Sequence, residues 1–225
     1  PIVMPTQDIV LGCYYLTKYD ETDTAEVKKF FSNPREARFA YKTRRIHLRE
    51  RVKVRFDDLS KFPEGQSSVI ETSLGRILFN EIFPDKIPFY NEAITKKHLG
   101  KIIELSLEFY GQEETAHMLD SMKSVGFKYV TKSGYSLGMD DFGHIKEKAE
   151  LLRDGDQRVL TVQDQFEEGL LTDAERHAKV LEIWTEVKDK IDSFNKKALD
   201  KDGSAFAMIE SGARGSWAQL SQIVG

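Results

Sequence analysis

The chain has 225 residues, of which 40% are hydrophobic and 31% charged, and its net charge is -4. That length can bury one large core or two modest ones, and the acidic balance argues against a stand-alone DNA-binding protein, which carries a basic surface. The single cysteine, Cys13, excludes an internal disulfide or a thiolate metal cage and reads as a buried core thiol in an apolar run.

No stretch approaches the roughly twenty apolar residues of a membrane span. The N-terminus, Pro1-Ile-Val-Met-Pro5, has no basic region ahead of an apolar core, so no signal peptide is expected. Together these features predict a cytoplasmic protein. A start at proline and a stop on Gly225, without the charges that usually end a helix, suggest a segment of a longer polypeptide.

Ile2 to Thr17 is apolar and β-branched at first, with Gly12 and a Tyr14-Tyr15 pair, and predicts extended structure followed by a short helix or turn. Thr22 to Phe31 predicts a short helix, capped by Thr22, Asp23 or Thr24 and ended by Asn33-Pro34. Pro34 to Tyr41 predicts another, on the helical propensity of Glu36-Ala-Arg-Phe-Ala40. From Ile46 to Phe56, apolar Ile46, Leu48, Val52, Val54 and Phe56 alternate with Arg49, Arg51, Lys53 and Arg55, the pattern of a half-buried strand. Lys42, Arg44 and Arg45 extend this basic face, which suits nucleic acid, an acidic subunit surface or plain solvent. Val69 to Phe79 predicts a second strand, after which Phe83-Pro84 and Ile87-Pro88 break the chain.

A helical half begins near Thr95. Leu99, Ile102, Ile103, Leu105 and Leu107 predict a buried helix ending at Gly111. Glu113 to Val125 predicts the next, with Ala116, Leu119, Met122 and Val125 on one face and Gly126 closing it. Phe127 to Asp141 is glycine-rich. Two long helices follow, from about Ile145 to Phe166 and from about Thr172 to Ala198. Gly169 between them suits a left-handed helix terminus, and Thr172-Asp-Ala-Glu175 is a capping box. Val180, Trp184, Val187, Ile191, Phe194 and Ala198 step by four and three, a heptad seam answered by Ile145, Ala149, Leu152, Val159 and Phe166. So short a loop forces an antiparallel hairpin, each arm spanning on the order of 30–40 Å at about 1.5 Å per residue. Its charged outer face predicts projection into solvent. Asp200 to Glu210 reads as a linker, and the fold class as α+β.

Chemistry-bearing motifs are few. His47, His98, His117, His144 and His177 are scattered without ligand spacing and read as surface or packing residues. No nucleophilic triad, dinucleotide glycine motif or phosphate loop is visible. The sharpest feature is Ser211-Gly-Ala-Arg-Gly-Ser216, where small residues surround Arg214. Small residues let a backbone approach a ligand or another chain closely, and arginine offers a planar, permanently charged fork suited to phosphate. A structural arginine in a subunit contact fits the same local sequence.

Five ordered blocks resemble the largest catalytic subunit, beta-prime, of bacterial RNA polymerase. Pro1-Ile-Val-Met-Pro-Thr-Gln-Asp-Ile-Val-Leu-Gly-Cys-Tyr-Tyr-Leu-Thr17 is similar to that family's Pro-Ser-Gln-Asp…Leu-Gly-Leu-Tyr-Tyr-Leu-Thr. Thr72-Ser-Leu-Gly-Arg-Ile-Leu-Phe-Asn-Glu81 resembles its Thr-x-Gly-Arg-x-x-Phe-Asn. Gly126-Phe-Lys-Tyr-Val-Thr-Lys-Ser-Gly-Tyr-Ser-Leu-Gly-Met-Asp-Asp141 is similar to Gly-Phe-x-Tyr-Ala-Thr-x-Ser-Gly-x-Ser-x-Gly-Ile-Asp-Asp. The Gly169-Leu-Leu-Thr172…Glu175-Arg176…Ile183-Trp184 run resembles its Gly-Leu-Ile-Thr…Glu-Arg…Ile-Trp hairpin, and Ser211 to Ser216 its Ser-Gly-Ala-Arg-Gly-Ser.

The resemblance implies a mixed pore domain over residues 1–138 and a helical funnel domain over 139–225, with a rim hairpin at about 145–198. Such a region lines the secondary channel by which nucleotides reach the active centre, and its rim is where transcription factors dock. It implies that Arg214 lies near the incoming triphosphate, with Gln7 and Asp8 toward the active centre. Gly169, Leu170, Leu171, Thr172, Glu175, Arg176 and Lys179 would form the docking tip. Expected partners are the beta, alpha, omega and sigma subunits, with DNA and RNA bound only by the whole enzyme and no membrane. No cofactor is expected in this segment, since the subunit's Mg2+ and Zn2+ bind elsewhere.

Asp154-Gly155-Asp156-Gln157 repeats the ending of that family's magnesium loop, Asn-Ala-Asp-Phe-Asp-Gly-Asp-Gln. Glu150-Leu-Leu-Arg153 replaces the preceding part, and two carboxylates in a helical pattern stand where the metal needs three, so a solvated helix face with a weak glycine is expected. The chain departs from the family in a shorter linker with Ile209-Glu210 before Ser211, and in Gly155, which would soften the hairpin. By itself the segment is expected to be inactive. The alternative from another class is an independent coiled-coil adaptor, and a second is a nucleic-acid binder using the Arg49, Arg51 and Arg55 face.

Overall fold

The computed structural model describes residues 3–20, 27, 29–143 and 147–224, with the side chains of residues 195–198 left aside. In chain order the elements are α1 (Asp8–Thr17), β1 (Phe30–Phe31), α2 (Pro34–Lys42), β2 (Val52–Arg55), β3 (Val69–Thr72), α3 (Leu74–Asn80), α4 (Lys96–Ser133), a 3-10 turn (Met139–Asp141), α5 (Lys148–Glu167), α6 (Asp173–Ala198), α7 (Ser204–Glu210) and α8 (Trp217–Val224). The class is α+β, as expected. Two units separate: Pro1–Ser136 with Phe206–Arg214, and Leu137–Ala205 with Gly215–Gly225. Among the described residues no helix is long and apolar enough to cross a membrane.

In the first unit α1 is buried on nearly every side, from Val10 to Thr17, which explains its apolar sequence. It is helical from Asp8 onward, a longer helix than the short one expected. Two other helices approach it through glycines. A Cβ added to Gly12 would overlap the Gly126 carbonyl of α4, and one added to Gly75 of α3 would overlap the Leu16 carbonyl. Close backbone approach of this kind admits no side chain. Gly126 therefore does not end a helix, contrary to expectation. The first helix of the expected pair does end at Gly111, whose non-helical φ of 76° kinks α4 into two helical segments, but the second runs on past Gly126 to Gly134, whose φ of 64° is the left-handed terminus.

The sheet has strand order β1-β2-β3, with β1 parallel to β2 across Phe30↔Lys53 and β2 antiparallel to β3 across Val54↔Ile70. Val52 and Val54 point into the core while Lys53 and Arg55 are exposed; Ile46 and Leu48 are buried on either side of exposed His47, in keeping with the alternation expected over Ile46–Phe56, but the strand itself is confined to β2 and Phe56 is half-buried. The strand expected over Val69–Phe79 ends at Thr72. There Ser73 Oγ accepts from Arg76 N at 3.2 Å and starts α3, whose all-round burial hides its helical period. Most of the helix expected at Thr22–Phe31 lies outside the described residues, and its end, Phe30–Phe31, is β1. The helix expected from Pro34 is present, with Asn33 Oδ1 accepting from Glu36 N at 2.9 Å.

The block from Thr72 to Asn80 is a structural clamp. Arg76 Nε donates to Thr17 O at 2.8 Å, and its guanidinium stacks 3.5 Å from the Tyr19 ring. Asn80 Nδ2 donates to Arg76 O and Tyr90 O, while its Oδ1 accepts from Tyr90 N, each at 2.8 Å. Phe79, Leu16, Leu74, Ile94 and Ile102 form the fully buried centre. Cys13 lies in the same core, where burial pushes its thiol up to about 12.

In the second unit α5 and α6 pair antiparallel, as the spacing predicts. Gly169 (φ 78°) ends α5: its N–H donates to Phe166 O and that of Leu170 to Gln165 O, both at 3.0 Å, the paired bonds of a Schellman terminus. Thr172 then caps α6, its Oγ1 accepting from Glu175 N at 3.3 Å and its N–H donating to Glu175 Oε2 at 2.8 Å. The seam holds Val162, Ile183, Val187 and Ile191, with Trp184 half-buried. Gly155 faces this seam. It is buried, and an added Cβ would lie 3.1 Å from Val187 Cγ2 and 3.2 Å from Trp184 Cζ3, so the missing side chain makes room for the indole. Asp154 and Asp156 lie on α5, with Asp154 3.8 Å from Arg158. The expected linker contains α7.

Candidate functional site

The chain after α7 is fixed at its backbone and free at Arg214. Ser211 is fully buried, and its carbonyl accepts from Lys96 N at 2.8 Å. Ser211 Oγ donates to Met208 O and accepts from Ala213 N, each at 3.2 Å, and Arg214 N donates to Met208 O at 3.2 Å. Gly212 (φ 73°) and Gly215 (φ 78°) supply the left-handed turns on either side. An added Cβ at Gly212 would also press on Lys96 Cβ, 3.2 Å away. The Arg214 side chain is exposed, and among the described residues no acidic group pairs with it.

Gln7 precedes α1 in a strained conformation, φ 50° and ψ -120°, and its side chain makes no capping bond. This puts Gln7, Asp8 and Leu11 on the wall of a pocket of about 390 Å³ whose other wall is Met208, Ala213 and Arg214. Three residues expected to work together are thus brought together from opposite ends of the chain. Leu11, Met208 and Ala213 were not anticipated; only their neighbourhood to the quoted motifs could have signalled them. A guanidinium and the positive end of a helix favour an anion here. The Asp8 carboxylate opposes it, so any phosphate must lie nearer Arg214.

The hairpin tip collects the second set. Leu170 is 68% exposed beside Gly169, and Leu171 is half-buried. Hydrogen bonds from Thr172 hold the Glu175 carboxyl below its ordinary range. Arg176 pairs with Asp173 at 2.7 Å and lies 5.2 Å over the Phe166 ring. Lys179 lines a groove of about 400 Å³ with Arg158, Gln165 and Glu182. The tip is therefore a rigid turn with one apolar side chain presented to solvent.

The basic face is partly countered from within, at three of its positions. Arg49 lies 3.9 Å from Asp20 and over the Tyr15 ring, Arg51 pairs with Glu71, and Arg55 lies 3.7 Å from Asp57. Such pairing weakens its attraction for phosphate. His98 is structural, its Nδ1 accepting from Thr95 N at 3.2 Å at the start of α4. Among the described residues no group of three or more His, Cys, Asp or Glu side chains is arranged to hold a metal.

Residues 1–142 match the family described as RNA polymerase Rpb1, domain 3, and residues 157–225 match RNA polymerase Rpb1, domain 4. Among curated relatives, the DNA-directed RNA polymerase subunit beta' of Syntrophomonas wolfei is 39% identical over 236 residues, covering 100% of this chain and 20% of the relative. That of Caldanaerobacter subterraneus is 38% identical over 238 residues, again 100% of this chain and 20% of the relative. That of Dehalococcoides mccartyi is 38% identical over 225 residues, 100% of this chain and 17% of the relative. The chain thus spans about a fifth of the length of the curated relatives it matches. It belongs to the RNA polymerase largest-subunit family and represents a segment of a beta' subunit.

Proposed function

We propose that this segment lines the channel by which nucleotides reach the active centre of a DNA-directed RNA polymerase, residues 1–138 as the pore domain and 139–225 as the funnel domain. Arg214 meets the triphosphate of the incoming nucleotide, and Gln7 and Asp8 border the same path. The hairpin at about 145–198 presents Leu170 and its neighbours to transcription factors that enter the channel. The observation that carries the reading is the shared pocket of Gln7, Asp8 and Arg214, together with an arginine whose charge is unpaired among the described residues.

DNA and RNA are partners only of the assembled nucleotidyltransferase, with its beta, alpha, omega and sigma subunits. Catalytic Mg2+ and structural Zn2+ are bound by residues outside this chain, which alone transfers no nucleotide. The setting is the bacterial cytoplasm, at the nucleoid.

A hydrogen bond to a charged group contributes about 1.5–3 kcal/mol, and solvent exposure of Arg214 reduces this to roughly 1–1.5 kcal/mol. Arg214→Ala in the assembled polymerase is therefore expected to raise the nucleotide KM about 5- to 12-fold, with Arg214→Lys in between. Steady-state elongation kinetics measure it. An unchanged KM and kcat for Arg214→Ala would remove the nucleotide from this pocket.

A further inference from the structure

In the first unit α2 buries Ala37 and Ala40 and turns its other face to solvent. Residues 34–45, which hold α2 and the turn after it, carry five cations, Arg35, Arg38, Lys42, Arg44 and Arg45, against the single carboxylate of Glu36. The whole chain has a net charge of -4, so the field here is of the opposite sign. Arg38 is held by Glu81, and the Glu36 carboxylate accepts from Ser32 N at 2.7 Å. The other four cations are exposed. Among them stands Phe39, 63% exposed. It follows Arg35 by four residues and precedes Lys42 by three, a spacing that puts all three on one helix face. At about 1.5 Å per residue, Arg35 and Lys42 are about 10 Å apart along the axis, with Phe39 between them. Arg44 ends the helix at φ 58°, its N–H donating to Tyr41 O at 2.9 Å and that of Arg45 to Ala40 O at 2.8 Å. Glycine is the residue this left-handed position favours, so an arginine there adds a charge and backbone strain together.

We propose that this face binds a single-stranded nucleic acid, one base stacking on the Phe39 ring, the phosphates on either side of it meeting Arg35 and Lys42, and Arg44 meeting the next. A single strand suits an aromatic platform bordered by cations, because every base has a π face and every linkage a negative charge. A groove on another protein suits the face less well. Such a groove takes apolar anchors repeated along a helix at three- and four-residue spacing. Here Phe39 is the one apolar anchor, and Arg35 and Lys42 stand at the neighbouring positions, where burial would strip them of water. The face shares no residue with the pocket of Gln7, Asp8 and Arg214, so nucleic acid bound to it is separate from the nucleotide proposed there.

The test uses the assembled polymerase that carries this chain, with Phe39 replaced by the photoreactive p-benzoylphenylalanine. Labelled oligouridine and oligothymidylate of about twelve nucleotides, within the site sizes of single-strand binders, are the probes. The photoreactive group stands only at position 39, so nucleic acid held at the active centre takes no part. Irradiation is expected to attach both probes to the polypeptide carrying this chain, half-maximally at roughly 10–100 µM, the range of sequence-independent binding. With three phosphates met, affinity should fall about 20-fold between about 50 and 200 mM salt. Arg35→Gln combined with Lys42→Gln should cut labelling at least about 20-fold at the lower salt and reduce the salt effect to about 3-fold. Arg44→Gly should weaken labelling about 5- to 10-fold without lowering the thermal midpoint, since glycine suits φ 58°. The proposal is overturned if irradiation joins position 39 only to protein, which would make this face a protein interface, or to nothing. Labelling that survives the double substitution, or that is indifferent to salt, overturns it equally.

Discussion

Adding one methyl group at Gly12 is expected to destabilise the first unit by about 2–3 kcal/mol, although alanine is the better helix former by about 1 kcal/mol. The new Cβ would overlap the Gly126 carbonyl of α4 and lie 2.9 Å from the Gly126 Cα. Non-bonded carbons settle at about 3.5–4.0 Å, so the two helices must part by roughly an ångström. The atoms in the way are backbone, which no rotamer change can move. Both helices feed one core in which Val10, Cys13, Ile102 and Met122 are fully buried, so the displacement loosens packing over its whole length. Overpacking costs about 1–3 kcal/mol and sometimes more; with backbone meeting backbone the cost here is about 3–4 kcal/mol, which less the gain in propensity leaves about 2–3 kcal/mol. At about 2–4 °C per kcal/mol for a chain of this size, the midpoint should fall by about 4–12 °C. Gly155→Ala is the internal control. Its Cβ meets only the side chains of Val187 and Trp184, at 3.1 and 3.2 Å, which can yield by a few tenths of an ångström. That variant should change stability by less than about 1 kcal/mol in either direction. Thermal and urea unfolding of both variants, followed by near-ultraviolet circular dichroism, decide the matter. A Gly12→Ala protein as stable as wild type, or no less stable than Gly155→Ala, would refute the close crossing.

Asn80→Ala should cost about 2–4 kcal/mol, because it strands the Tyr90 N–H and carbonyl and the Arg76 carbonyl in the interior; a urea midpoint equal to wild type would contradict the clamp. Hydrogen bonds from Lys190, then Arg158, lower the Glu186 carboxyl from 4.5 to about 2. A depressed carboxyl stabilises the fold above its unfolded value, and that stability is lost as pH falls from about 4.5 toward 2. Glu186→Gln should therefore be less stable at neutral pH and converge with wild type near pH 2, more weakly in high salt, and parallel urea-midpoint profiles would count against the pairing. Leu170→Asp should leave the thermal midpoint unchanged, since the side chain is 68% exposed, yet abolish binding of channel-entering transcription factors to the assembled polymerase in a competition assay; undiminished binding would move the docking site off the tip.

The hairpin was legible because its determinants are local. Gly169 must take a positive φ, Thr172 and Glu175 satisfy each other three residues apart, and the seam repeats within one helix. Elements α1 and α3 were not, for the opposite reason. Each is buried on nearly all sides, which erases the contrast between faces on which period-reading depends. The glycines make the difference concrete. Gly126 reads as a helix end, Gly155 as a weak point and Gly75 as part of a strand, yet each lies within a helix where another backbone or a Trp ring needs the space. Sequence shows a missing side chain; only the partner shows what fills the gap. The pocket follows the same logic. Arg214 was visible as an unusual arginine among small residues, but its juxtaposition with Gln7 depends on Ser211 docking its carbonyl on Lys96 N. No local pattern encodes that contact, and the family resemblance supplied the expectation in its place. Where a motif's meaning lies in the chain it meets, as with Gly12 against Gly126, the informative experiment changes the meeting point and leaves the charged group alone.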